Sequence, residues 1–262
     1  MKIARVFPTK TSYCPDDKDA YFGVPDSITP QYDEVHISCT FTWDIDKAYK
    51  LQSSWCSNAK IVRVGGVAIN GESTQPFMSG MYLKRGVTIT SRGCPNKCSF
   101  CMVKNDLIEF DTFPVGNIVQ DNNFLACSEQ HKDRVYRMLK TQKGVEFKGG
   151  LEASRINLKT AEDLRSLRIK SLWLACDNDS NIKQLQKAVD ILFNAGFRKS
   201  HLYCYVLIGK EELRLRAVRD MGVMPFAQLY QKPEKHKTEY TREMKQYQRI
   251  MSRPAITRNI FK

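Results

Sequence analysis

The chain lacks any apolar run approaching the roughly 18 residues a membrane span needs, so no transmembrane helix is expected. It also lacks the apolar stretch and small-residue cleavage site of a secretory signal behind Met1 to Pro8. No internal repeat or low-complexity segment interrupts it, which argues against a solenoid or a disordered linker protein. Acidic residues are in short supply: 28 Asp and Glu face 41 Lys and Arg, leaving a formal charge of +13 over 262 residues. A polyanionic partner such as nucleic acid is therefore plausible, because phosphate neutralisation releases counterions. Hydrophobic residues make up 42% and charged residues 26%, a globular composition with enough chain for a sizeable core.

Cysteine is what the chain has in unusual placement. Three of its nine cysteines fall in the run Cys94-Pro-Asn-Lys-Cys98-Ser-Phe-Cys101, and the next, Cys127, lies 26 residues on. Three thiolates at this spacing suit an iron-sulfur cluster with one iron left unligated. A zinc site is the alternative, although only Cys98 and Cys101 form a Cys-x-x-Cys pair and no partner pair follows at ribbon or finger spacing. Gly93 and Pro95 mark an irregular loop, where buried packing thiols have little reason to gather. Nine cysteines with three so clustered point to a reducing, cytoplasmic setting rather than a disulfide scaffold.

Three segments are expected. Residues 1–82 read as a small Rossmann-like α/β domain, with strands Ile3 to Phe7 and Glu34 to Cys39 and a helix from Asp46 to Trp55. A third strand from Ala59 runs into the Gly65-Gly66 turn. Residues 83–232 alternate strand-like and helix-like stretches, which implies parallel βα units. The strands are Gly86–Thr90, Gly116–Gln120, Gly144–Lys148, Ser171–Cys176, Leu202–Ile208 and Val223–Leu229. Helices are expected over Lys132–Thr141, Thr160–Leu167 and Ile182–Ala195. Residues 233–262 form a basic helical tail, with eight Lys and Arg against three Glu and an apolar stripe of Tyr240, Met244, Tyr247 and Met251. Arg253 and Arg258 are candidate phosphate contacts.

The cysteine run resembles the Cys-x-x-x-Cys-x-aromatic-Cys signature of the radical S-adenosylmethionine (SAM) superfamily. That resemblance implies an α/β fold with a partial (β/α)6 barrel, a 4Fe-4S cluster on Cys94, Cys98 and Cys101, and SAM chelated to the fourth iron with Phe100 beside its adenine. It also implies reductive cleavage of SAM to a 5'-deoxyadenosyl radical, and a flavodoxin- or ferredoxin-type reductant. The N-terminal segment resembles a cobalamin-binding-type domain but lacks the Asp-x-His-x-x-Gly loop, so no cobalamin is expected and His36 reads as structural. Methylthiotransferases offer a second comparison, in which Cys14, Cys39 and Cys56 would hold an auxiliary cluster; ordinary buried thiols are the other reading.

Active sites of parallel α/β barrels lie at the strands' C-terminal ends. Asp121 and Asn123, after the second strand, match the character of the family's polar motif near the amino acid end of SAM, or else cap a helix. Glu152 and Arg155 follow the third strand as ligand-facing groups or as an ion pair. Asp177 and Ser180 follow the fourth and resemble the Gly-x-Glu-Ser-Gly contacts to SAM, with Asp179 where that pattern has glycine. Tyr205 to Gly209 resembles the segment whose backbone, at Leu207 and Gly209, meets adenine, and its apolar residues are equally what a buried parallel strand needs. The expected function is radical SAM modification of a nucleic acid or nucleotide-like substrate. Action on a peptide or small metabolite, or a non-catalytic iron-sulfur or zinc protein that binds nucleic acid, are the alternatives.

Overall fold

A computed structural model describes residues 1–70, 80, 82–103, 106–208, 213–232 and 237–253. The expected contacts at Gly209 and Arg258 lie outside the described residues. Two compact units divide the chain, one over Met1–Val87 with Glu234–Lys237 and the other over Thr88–Pro233 with Thr238–Lys262.

In the first unit, β1 (Ile3–Phe7), β2 (Ala20–Phe22), β3 (Tyr32–Ser38) and β4 (Ala59–Gly65) form a parallel sheet in the order β2-β1-β3-β4. The helix α1 (Ile45–Trp55) buries Ala48, Leu51 and Trp55, residues spaced to share one face. The indole of Trp55 donates to the Gly23 carbonyl at 3.0 Å, so its polar edge is satisfied inside the core. Strand β2 goes unforeseen because three residues are too few to show an alternation. His36 is buried in β3, with Nδ1 2.7 Å from the Tyr82 hydroxyl and Nε2 2.9 Å from Glu34. A short helix, α2 (Val67–Asn70), follows β4 through Gly66. Its φ of +105° and its approach to Cys39 leave no room for a side chain: a Cβ there would meet the Cys39 carbonyl oxygen at 2.6 Å.

The second unit carries a six-stranded parallel sheet. It is built from β5 (Gly86–Thr88), β8 (Gly116–Val119), β9 (Val145–Leu151), β10 (Ile169–Cys176), β11 (Leu202–Ile208) and β12 (Met224–Leu229). Spatial order follows chain order without reversal, β12-β11-β10-β9-β8-β5. Helices α3 (Glu129–Lys140), α4 (Leu158–Arg165), α5 (Ile182–Asn194) and α6 (Leu213–Asp220) fill the four connections from β8 to β12. Period-two burial assigns the faces: on β11, Leu202, Cys204, Val206 and Ile208 join the core with the helices, while Tyr203, Tyr205 and Leu207 point the other way. That second face is aromatic, with Trp173 stacked on both Tyr203 and Tyr205 at 4.7 Å between centroids.

Among the described residues between β5 and β8 there is no helix. A two-stranded antiparallel ribbon of β6 (Ser91–Arg92) and β7 (Ile108–Glu109) closes a long loop that carries the three cysteines. The last helix, α7 (Arg242–Met251), starts at a Thr241 cap that accepts from Met244 N, and it packs on β12. Gln248 and Ser252 both donate to the Ala227 carbonyl, and Met251 is buried. Of the expected stripe, Tyr240 lies before the helix and bonds through its hydroxyl to the Tyr230 carbonyl. No described helix is long and apolar enough to cross a membrane.

Candidate active site

The cysteine loop is held at its base by three consecutive residues that follow β8. Asp121 is buried and accepts from Thr90 N at 2.6 Å, from the Thr90 hydroxyl and from Ser91 Oγ at 3.0 Å. Asn122 Oδ1 accepts from Gly93 N at 3.0 Å. Asn123 Nδ2 donates to Cys94 Sγ at 3.3 Å. Behind them, Arg134 donates to His131 Nδ1 at 2.9 Å, which leaves Nε2 to carry the proton shared with Thr90 Oγ1 at 3.0 Å. Burial lowers the pKa of His131, with Glu109 and Asp121 opposing. Burial likewise raises that of Asp121, against its donors from Thr90 and Ser91. Asp121 occupies no helix N-cap, the N-caps that follow β8 being Asn123 and Ser128. It ties the first strand's end to the second, and its side chain is absent from the cavity wall.

That cavity, about 600 Å³, opens within the second unit and is lined by Cys94, Cys98, Phe100, Cys101, Asn123, Glu152, Asp177 and Leu207 among others. Cys94 Sγ accepts from Asn96 N and from Asn123, and Cys101 Sγ accepts from Val103 N. Burial pushes the Cys98 thiol up, helped by Cys101, Cys94 and Asp177. Among the described residues, no three or more His, Cys, Asp or Glu side chains are gathered closely enough to hold a metal ion. The donor set still matches an iron-sulfur cluster in kind: three thiols line one wall of a cavity large enough to receive a bound group. Cys14, Cys39 and Cys56 bond separately to their own surroundings, Cys39 to the Phe41 carbonyl and Cys56 to that of Gln52. Burial, with Asp44 adding to it, pushes the Cys39 thiol up to about 11.

Strand β9 runs three residues further than its sequence pattern implies, so Gly149 and Gly150 belong to the strand and not to the loop beyond it. Gly149 lies so close to the Asp121 backbone that a Cβ would meet the Asp121 carbonyl oxygen at 1.9 Å. This close approach brings Glu152 beside Asn123. The carboxylate of Glu152 accepts from Asn123 Nδ2 at 2.7 Å, Ser154 Oγ at 2.6 Å and Arg155 Nε at 2.7 Å. Burial alone would raise its pKa, but these donors outweigh it and hold the carboxyl below the usual range. Arg155 is occupied as the partner of Glu152 and lies off the cavity wall. Asn123 Oδ1, in the cavity wall, is a buried acceptor with no hydrogen-bond partner among the described residues.

Asp177 follows β10 and faces the cavity; burial raises its carboxyl above the ordinary range and Arg214 pulls it back. Arg214 itself bridges the Asp179 carboxylate at 3.0 Å and the Leu207 carbonyl at 2.7 Å. Ser180 bonds Asn178 and Asn181 in an exposed turn and does not line the cavity. The sequence reading passed over the carboxamides Asn122, Asn178, Asn181, Gln184, Gln228 and Gln231, and it did not single out Tyr230. Gln228 had a readable signal, a lone amide near the end of an apolar strand. No family model matches this chain, and no curated protein matches it.

Proposed function

We propose that the second unit is an open (β/α)6-type radical SAM enzyme, binding a 4Fe-4S cluster through Cys94, Cys98 and Cys101 and SAM in the adjoining cavity. The observation that carries this reading is the meeting of the three thiols with Asn123, Glu152 and Asp177 around one cavity at the strand ends. The unreversed strand order, with helices in the four connections from β8 to β12, supports an open barrel. The chemistry supplied by cluster and SAM together is one-electron cleavage of the sulfonium carbon-sulfur bond, yielding a 5'-deoxyadenosyl radical.

The chain's own residues bind and orient. Asn123 Oδ1 and the Glu152 carboxylate are acceptors suited to the amino group of the methionine moiety. Asp177 is suited to hydroxyls of the ribose, and Phe100 to the adenine face. The aromatic face of Trp173, Tyr203 and Tyr205 limits water on the same side of the sheet. A reducing, cytoplasmic setting and a flavodoxin- or ferredoxin-type donor complete the reading. Anaerobically reconstituted protein given SAM and dithionite is expected to release 5'-deoxyadenosine; none from protein with full iron and sulfide content would overturn it.

A nucleic acid or nucleotide-like substrate is favoured by the charge of +13 and by α7, where Arg242, Lys245 and Arg249 are exposed at spacings that share one face. Reversing Lys245 and Arg249 to Glu is expected to weaken binding of single-stranded RNA. It is also expected to flatten the dependence of log Kd on log salt by about one unit per lost phosphate contact. An unchanged slope would favour a peptide or small metabolite.

A further inference from the structure

Asn123 has two N–H hydrogens and uses both within the wall, one toward Cys94 Sγ at 3.3 Å and one toward Glu152 Oε2 at 2.7 Å. Both partners only accept in the charged state the site would hold, which fixes which end of the amide faces them. The residue is 4% exposed, so water does not compete for these bonds. Its neighbours prevent it from sliding away, because Asp121 and Asn122 are bonded to the base of the same loop at Thr90, Ser91 and Gly93. Cys101 has a backbone donor in Val103 N and Cys94 one in Asn96 N, and the Asn123 amide adds a side-chain donor to Cys94. Cys94 therefore receives a donor that a point substitution can remove.

We propose that Asn123 is a positioning residue whose N–H···S bond holds the Cys94 sulfur and raises the reduction potential of the cluster bound there. The inference rests on the iron-sulfur reading above. A donor aimed at a ligating sulfur draws electron density from it, and the reduced cluster carries one more negative charge than the oxidised one. The bond is therefore stronger in the reduced state and favours electron uptake. In a wall from which water is excluded that preference is not screened away. Asn123 thus lowers the demand on the external reductant, and its other hydrogen orients Glu152 for the ligand next to it.

The test is potentiometric titration of the reconstituted cluster, followed by its paramagnetic reduced signal, in wild type, Asn123→Ala, Asn123→Asp and Asn122→Ala. With iron and sulfide contents equal to wild type, both Asn123 variants are expected to show a more negative midpoint, the Asp variant the more so because it places a carboxylate against the sulfur. Asn122→Ala, which loosens the loop base at Gly93 but removes no donor to the sulfur, is expected to shift the midpoint less than either Asn123 variant. Should Asn123→Ala fail to fold, the near-isosteric Asp variant carries the comparison. Unchanged midpoints in the Asn123 variants, with the cluster intact, would overturn this role and leave the iron-sulfur reading standing. A wild-type chain that takes up no iron would overturn that reading, and this role with it.

Discussion

Replacing Gly149 by alanine is expected to lower the thermal unfolding midpoint by about 6–12 °C, or to abolish soluble folded protein. The added Cβ would sit 1.9 Å from the Asp121 carbonyl oxygen and within 3.0 Å of Asp121 N, all backbone atoms in the adjacent strand end. Backbone cannot rotate aside as a side chain does, so β8 and β9 must separate where their ends carry the site. Overpacking costs of about 3 kcal/mol, at roughly 2–4 °C per kcal/mol for a chain of this size, give the stated range. Gly150→Ala is the comparison. Its φ of +94° disfavours any side chain, but a Cβ there finds its nearest neighbour at 4.0 Å, so a loss of about 1 kcal/mol is expected. Equal melting points for the two variants would show that the close approach at Asp121 does not govern stability.

The second large effect is at Cys98. Cys98→Ser is expected to remove the iron-sulfur absorbance and reduce 5'-deoxyadenosine formation to background, while the melting point of the metal-free chain stays within about 0.5 kcal/mol equivalent of wild type. Serine is close in size to cysteine, but its hydroxyl is a poor ligand for iron at neutral pH. The burial that pushes the Cys98 thiol up, together with Cys101, Cys94 and Asp177, means metal binding there must release a proton. Cys56→Ser, at an exposed thiol bonded to its own helix, serves as the control and is expected to change neither property. Retention of cluster and product by Cys98→Ser would sink the ligand assignment.

Much of the second unit was legible where, as on β11, buried and half-buried residues alternate along a strand. Leu202–Ile208 was read to its exact limits, and Ile182–Ala195 missed the end of α5 by one residue. These elements alternate or repeat over seven residues or more, so local pattern and tertiary burial agree. The pattern failed where pairing outran it. β9 continues through Gly149 and Gly150, which read as a turn, because β10 pairs with it again at Leu151 beyond a register shift. β2 has only three residues.

The site was legible by type and not by direction. Asp121 and Asn123 looked equivalent as polar residues after a strand, yet the carboxylate is buried against Thr90 and Ser91 while the amide lines the cavity. Glu152 and Arg155 were read as ligand-facing groups or as an ion pair, and the pair is what forms, Arg155 Nε donating to the Glu152 carboxylate. Sequence by itself determined the parallel α/β alternation, the basic charge and the three thiols in one loop, because periodicity, composition and spacing are local properties. Only the tertiary structure decided that Asn123 reaches Cys94 and Glu152, each 29 residues away, and that Gly149 must have no side chain. Those facts depend on how closely β8 and β9 approach at their ends, a distance set by packing the whole sheet and carried by no single stretch of chain.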